Sequence, residues 1–224
     1  MNRHTSYHDF SFGCEHQGYW NNRCSGYALA AILKDLGQNR FFQFKTSYKI
    51  PLGHIIYNQL QASQRIYLRK SPNSVCTRFI NNPVNMQKNS HHILPSVIVT
   101  YCQSIHLSPI LYYSQEKEES IFRSEILKED LSGLTNSRCQ QILSDDFKQQ
   151  TYKHKYLLAL TRYQHWVALK QENEYFYLFD PAPPKLGGGT TGPCIFENAL
   201  PSEKYIKKGR YSTKYFYEIM IGLY

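Results

Sequence analysis

The run Arg23-Cys24-Ser25-Gly26-Tyr27-Ala28-Leu29-Ala30-Ala31-Ile32-Leu33-Lys34-Asp35-Leu36-Gly37 constrains the fold more than any other stretch of the chain. Leu29, Ile32, Leu33 and Leu36 recur at i, i+3, i+4 and i+7, the stripe of a helix with one buried face. Gly37 supplies the stop. That periodicity puts Cys24 in the first turn, where unpaired N–H groups and the positive end of the helix dipole favour negative charge. The thiolate is the nucleophilic form of cysteine, so the placement suits a catalytic thiol. Gly26 has no Cβ and lets a neighbouring segment approach the helix entrance closely. A buried small residue is the plain alternative for a lone cysteine here, so the reading depends on partners elsewhere.

A catalytic thiol needs a histidine that another group holds in place. Of nine histidines, His165 has the right surroundings. Tyr156-Leu157-Leu158-Ala159-Leu160 reads as a buried strand. His165-Trp166-Val167-Ala168-Leu169-Lys170 and Tyr175-Phe176-Tyr177-Leu178-Phe179-Asp180 flank a polar turn and predict a β-hairpin. With the turn centred between Glu172 and Asn173, His165 and Asp180 are direct cross-strand neighbours, their Cβ atoms roughly 4.5–5.5 Å apart. A slip of one residue would send Asp180 to the opposite face. Pro181 cannot donate to a ladder and ends the strand. A third requirement is an oxyanion hole. The backbone N–H of Cys24 is one donor, and Gln17, Asn21 or Asn22 could supply a side-chain amide. Gln17 is preferred, because a residue further back can fold over the cleft while Asn21 and Asn22 shape the turn. Trp20 and Trp166 are candidates for lining the substrate cleft, with core packing as the even alternative.

Gln17-Gly18, Cys24 opening an apolar helix, His165-Trp166-Val167-Ala168-Leu169 and Phe179-Asp180-Pro181-Ala182 together resemble the papain-like superfamily of cysteine hydrolases. The His and Asp-Pro pieces are most similar to C39-type peptidases, which cleave double-glycine leader peptides. Cys24-Ser25-Gly26, then Ala28-Leu29 and Leu36-Gly37, looks still more like the papain-fold glutamine deamidases that bacterial pathogens inject into host cells. NlpC/P60 cell-wall peptidases share the Cys-Ser-Gly run but have a different histidine motif. The resemblance covers residues 17–37 and 156–182, about a fifth of the chain. It implies Cys24 as nucleophile, His165 as general base and acid, Asp180 as orienter and Gln17 as oxyanion donor. The Gln17 to Cys24 spacing is one residue longer than the usual papain pattern, which keeps Asn21 and Asn22 as substitutes. The implied fold is α+β: an N-terminal helical part whose nucleophile helix packs on a C-terminal antiparallel sheet. The implied activity is hydrolysis of an amide in a protein substrate, by a protease or a deamidase. A cell-wall peptidase and an inactive papain-like binding module are the alternatives.

Length and composition suit a single domain over residues 1–224. Apolar residues make up 42% of the chain and aromatic residues 15%, enough to build a sizeable core. The formal charge of +9 is spread, without a basic run or a nucleic-acid-binding motif, so nucleic acid is not an expected partner. Six cysteines with no C-x-x-C pair are expected to be buried reduced thiols. His91-His92 point apart in regular structure, and His8, Cys14 and His16 lack a fourth ligand; no metal or organic cofactor is expected. The glycine loop 187–189 lacks the ending of a phosphate cradle. The N-terminus has no apolar signal region and no run is long enough to span a membrane. The chain is therefore expected to be cytoplasmic, or secreted without a classical signal as an injected effector is.

Residues 38–150 are expected to form a mainly helical insertion, with helices over 54–60, from Pro95 to Ile105, from Glu116 to Leu131, and over 138–150 with Ile142 and Leu143 inward. Arg40–Phe44 is a short strand or helix end. Strands are expected from Tyr156 on, ending with Tyr215–Ile221.

Overall fold

The computed structural model describes residues 12–13, 23–38, 50–82, 92–114, 124–135, 138–142, 153–161, 165–172, 175–181, 194–197, 206–208, 211–213 and 217–224. The expectations for Gln17, Trp20, Asn21, Asn22, residues 40–44 and the glycine loop lie outside them, as do those for His8, Cys14, His16 and His91.

Five helices are described: α1 (Cys24–Asp35), α2 (Leu52–Lys70), α3 (Val75–Asn81), α4 (Pro95–Ser104) and α5 (Ser124–Leu131). The strands are β1 (Ile110–Ser114), β2 (Cys139–Ile142), β3 (Tyr156–Thr161), β4 (His165–Glu172), β5 (Tyr175–Phe179), β6 (Cys194–Glu197), β7 (Ile206–Lys208), β8 (Tyr211–Thr213) and β9 (Tyr217–Leu223). The fold is mixed α+β. Seven strands make one sheet in the order β2-β1-β9-β3-β4-β5-β6, and β7 and β8 pair separately. Every pairing in the large sheet is antiparallel except β1 with β2.

Two expectations change here. The stretch 138–150 was expected to be helical, but residues 139–142 form β2, paired with β1 at the edge of the sheet. The stretch 38–150 thus supplies α2 to α5 and also two strands, so it is built into the sheet rather than laid beside it. Cys139-Gln140-Gln141-Ile142 is too short for periodicity to separate strand from helix.

The second change concerns α1. Its stripe predicts one buried face, yet every residue from Cys24 to Leu33 is buried. A helix buried all round belongs to the core. Gly26, Ala28, Ala30 and Ala31 are small because other elements pack there. A Cβ on Gly26 would lie 2.5 Å from the Gly53 carbonyl oxygen and 2.6 Å from the Tyr57 backbone nitrogen. Gly53 in turn faces the Tyr27 ring, which leaves no room for a side chain. The two glycines let α1 and α2 interlock, as the sequence reading of Gly26 anticipates.

Sheet residues cover the other side of α1. Trp166 and Ala168 of β4, Leu158 and Leu160 of β3, and Ile219 and Ile221 of β9 share its apolar cluster. The helix closes as expected: Gly37 has φ +67, its N–H bonds the Lys34 carbonyl, and the Gln38 N–H bonds the Leu33 carbonyl. Asp35, at the last turn, pairs with Lys170 of β4 at 3.0 Å and accepts from the Tyr156 hydroxyl of β3 at 2.6 Å. From Cys24 to Asp35 a helix rises about 16 Å. From His165 to Lys170 a strand rises about 17 Å. The helix therefore lies along β4 with its N-terminal end over the start of that strand.

Gly26→Ala is expected to cost about 1–3 kcal/mol by overpacking against backbone that cannot retreat. Gly37→Ala meets no atom within 4 Å and is expected to cost about 1–2 kcal/mol through its left-handed φ alone. Urea unfolding of both variants measures these costs, and only Gly26→Ala should also disturb the start of α1.

Candidate functional site

Cys24 is the first residue of α1. Arg23 caps the helix with φ −102 and ψ 22, no side chain caps it, and the first turn contains no acidic residue. The N–H groups of Gly26 and Tyr27 bond the Arg23 carbonyl. Among the described residues nothing accepts from the N–H groups of Cys24 and Ser25, as the helix geometry requires of an uncapped end. The end of the helix therefore directs donors unmet among the described residues, and positive dipole, at the space beside the sulfur.

The hairpin of β4 and β5 brings the other two groups. Its register is not the expected one. Ala168 pairs with Phe179 and Glu172 with Tyr175, so the connection is residues 173–174, one residue later than expected. Continuing this register sets Asp180 opposite Val167, two residues along from His165. His165 and Asp180 are diagonal rather than direct neighbours, still on one face. The contact forms nonetheless: His165 Nε2 donates to Asp180 Oδ1 at 2.7 Å. The side chains are 21% and 11% exposed.

Nε2 is occupied by Asp180, and Cys24 lies close enough to the ring to contribute to its shift. Burial alone would push His165 down. The Asp180 charge and hydrogen bond, with smaller contributions from Cys24, outweigh it and raise His165 from 6.5 to about 10. A further donor reaches the sulfur: the backbone N–H of Trp166 points to Cys24 Sγ at 3.4 Å. Sequence reading missed this contact, because it joins residues 142 apart through backbone rather than side chain.

Trp166 itself is a correction. Its side chain is fully buried among the core residues beneath α1, so it does not line a cleft. Successive strand residues face opposite ways; His165 takes the site face and its neighbour the core. Trp166 serves the site through its main-chain N–H.

Arg23 and His54 were also not anticipated. Arg23 Nη1 lies 2.8 Å from His54 Nε2, and its guanidinium sits 5.7 Å from the Tyr57 ring centre. Burial and the adjacent guanidinium lower His54, which keeps it neutral as acceptor for Arg23. Burial pushes Tyr57 up to about 12, Arg23 opposing and Cys24 adding. No local pattern could have found this cluster, since α2 joins it from thirty residues away.

Among the described residues no group of three or more His, Cys, Asp or Glu could hold a metal ion. Cys24, Cys76, Cys102 and Cys139 are free thiols. No helix among the described residues is long and apolar enough to cross a membrane.

The sign of the pH dependence follows from the direction of the His165 shift. A folded-state value raised above the ordinary one contributes stability that is full below about pH 6.5 and is lost as pH rises towards about 10. Asp180→Asn removes the main upward contribution. Thermal unfolding between pH 6 and pH 10 is expected to show a decline in the parent protein that is flattened in Asp180→Asn. No family model, no curated protein and no solved structure matches this chain.

Proposed function

We propose that the chain is a papain-like thiol hydrolase that attacks an amide carbon of a protein substrate through Cys24, His165 and Asp180. One observation carries the reading: a carboxylate-bonded imidazole directly precedes the backbone N–H that meets a cysteine sulfur at a helix N-terminus. A buried thiol kept only for packing has no use for a carboxylate-oriented histidine or for a backbone donor aimed at its sulfur. The order of the pieces along the chain and the helix-on-sheet arrangement agree with a papain-like fold.

In this reading the Cys24 thiolate attacks the carbonyl carbon, forming a carbon–sulfur bond. The Cys24 N–H receives the oxyanion, with an amide from Gln17, Asn21 or Asn22 as the second donor. His165 passes its Nδ1 proton to the leaving nitrogen as the carbon–nitrogen bond breaks. It then takes a proton from water, which hydrolyses the thioester, releases a carboxylate and restores Cys24. Asp180 fixes the ring and stabilises its charged form throughout. Trp166 N–H stabilises the sulfur as an anion. Protein-glutamine deamidation and peptide-bond cleavage share these steps and differ only in whether ammonia or an amine leaves. The resemblance of the Cys24-Ser25-Gly26 entrance to papain-fold effector deamidases favours an effector acting on a host protein.

Rapid iodoacetamide labelling confined to Cys24 at neutral pH is expected, and labelling should slow at least tenfold in His165→Ala. Cys24→Ala should trap its substrate and leave it unprocessed. Incubation of the captured protein with the parent enzyme should give a product about one dalton heavier for deamidation, or fragments for proteolysis. A Cys24→Ala variant that retains the full effect would identify a binding module instead.

A further inference from the structure

At the far end of α2 from Cys24, a cavity of about 440 Å³ opens between α2, α4 and the end of α5. Tyr57 beside the nucleophile and Tyr67 at the cavity are ten residues apart on one helix, so about 15 Å separates the two places. The cavity is in the size range of small-molecule sites. Its lining is mostly hydroxyl-bearing, with Ser63, Thr100 and Ser104 among the contributors and Tyr67 and Tyr101 as the aromatic ones. It holds one charged side chain, Asp130, which is only 1% exposed.

Asp130 accepts from the Ser96 N–H at 3.0 Å and from the Ser96 hydroxyl at 2.5 Å. These bonds cap the start of α4 and account for one interaction at each oxygen. Each oxygen retains further acceptor capacity. Among the described residues no cation pairs with Asp130, and its neighbour Glu129 has the same sign. A buried carboxylate ordinarily has a cationic partner. Burial raises Asp130 to about 6, against the Ser96 bonds. The lack of a counter-charge among the described residues, the hydroxyl lining and two tyrosines, a side chain whose face attracts cations, specify complementary ligand chemistry.

We propose that this cavity binds a small organic ammonium, with Asp130 as its counter-charge and the hydroxyls as acceptors for its N–H groups. The site stands apart from Cys24 and does not depend on any activity there.

Ethanolamine and methylammonium serve as ammonium probes, and ethylene glycol as the neutral isostere of ethanolamine. Calorimetric titration of the full chain should show saturable binding of at least one ammonium probe and none of ethylene glycol. Asp130→Asn keeps an oxygen for the Ser96 cap but removes the charge, and should weaken binding about tenfold or more. If Asp130→Asn unfolds, Ser63→Leu, which fills the cavity and leaves the cap alone, should abolish binding. Cys24→Ala should bind as the parent does, which separates this result from the fate of the hydrolase reading. Failure of both ammonium probes to saturate would overturn the proposal. So would ethylene glycol binding equally well, or unchanged affinity in a folded Asp130→Asn or Ser63→Leu variant.

Discussion

The site depends on α1 being held along β4 at both ends. At one end the Trp166 N–H meets the Cys24 sulfur; at the other, Lys170 and Tyr156 hold Asp35. The matching rise of a helix of eleven steps and a strand of five sets the first residue of α1 over the first residue of β4. Interlocking of Gly26 with α2 presses the helix onto the sheet from behind. Sulfur and imidazole meet because a core helix and a core strand have one packed arrangement, and dense packing does not slide continuously.

Electrostatics follows from that packing. Burial penalises charge on the ring, and the adjacent carboxylate more than offsets the penalty. The uncapped helix entrance, with no acidic residue in its first turn, adds positive potential beside the sulfur. A side-chain cap would have satisfied the entrance and stabilised the helix; without one, the N–H groups of Cys24 and Ser25 have no acceptor among the described residues. Local stability is given up at the end of α1 that carries Cys24.

Much of this was legible from local pattern. The helix α1, its glycine stop, Pro95 opening α4 and the hairpin of β4 and β5 follow from short-range rules. The contact of His165 with Asp180 forms despite the shifted hairpin because moving a two-residue turn by one position shifts the register by two. The side chains stay on their face, and only their spacing along the strand changes. Loop length sets the face, whereas turn position sets the distance. Three features were illegible: the burial of α1 on all sides, the strand at 139–142, and the assignment of Trp166 to the core. Each depends on what lies across from the residue, and an alanine reads as neutral until its neighbour is known.

By itself the sequence determined which residues can do chemistry and which face of a local element they occupy, because backbone periodicity is a short-range property. It also determined where α1 stops, because Gly37 alone accepts the left-handed turn cheaply. Only the tertiary structure decided that a main-chain donor 142 residues away reaches the sulfur. It also decided that His54 of α2 meets Arg23 at the entrance of α1, and that Asp130 is buried without a cation among the described residues. Those are meetings between distant segments, fixed by the packing of helix on sheet and helix on helix, which no window of the chain contains.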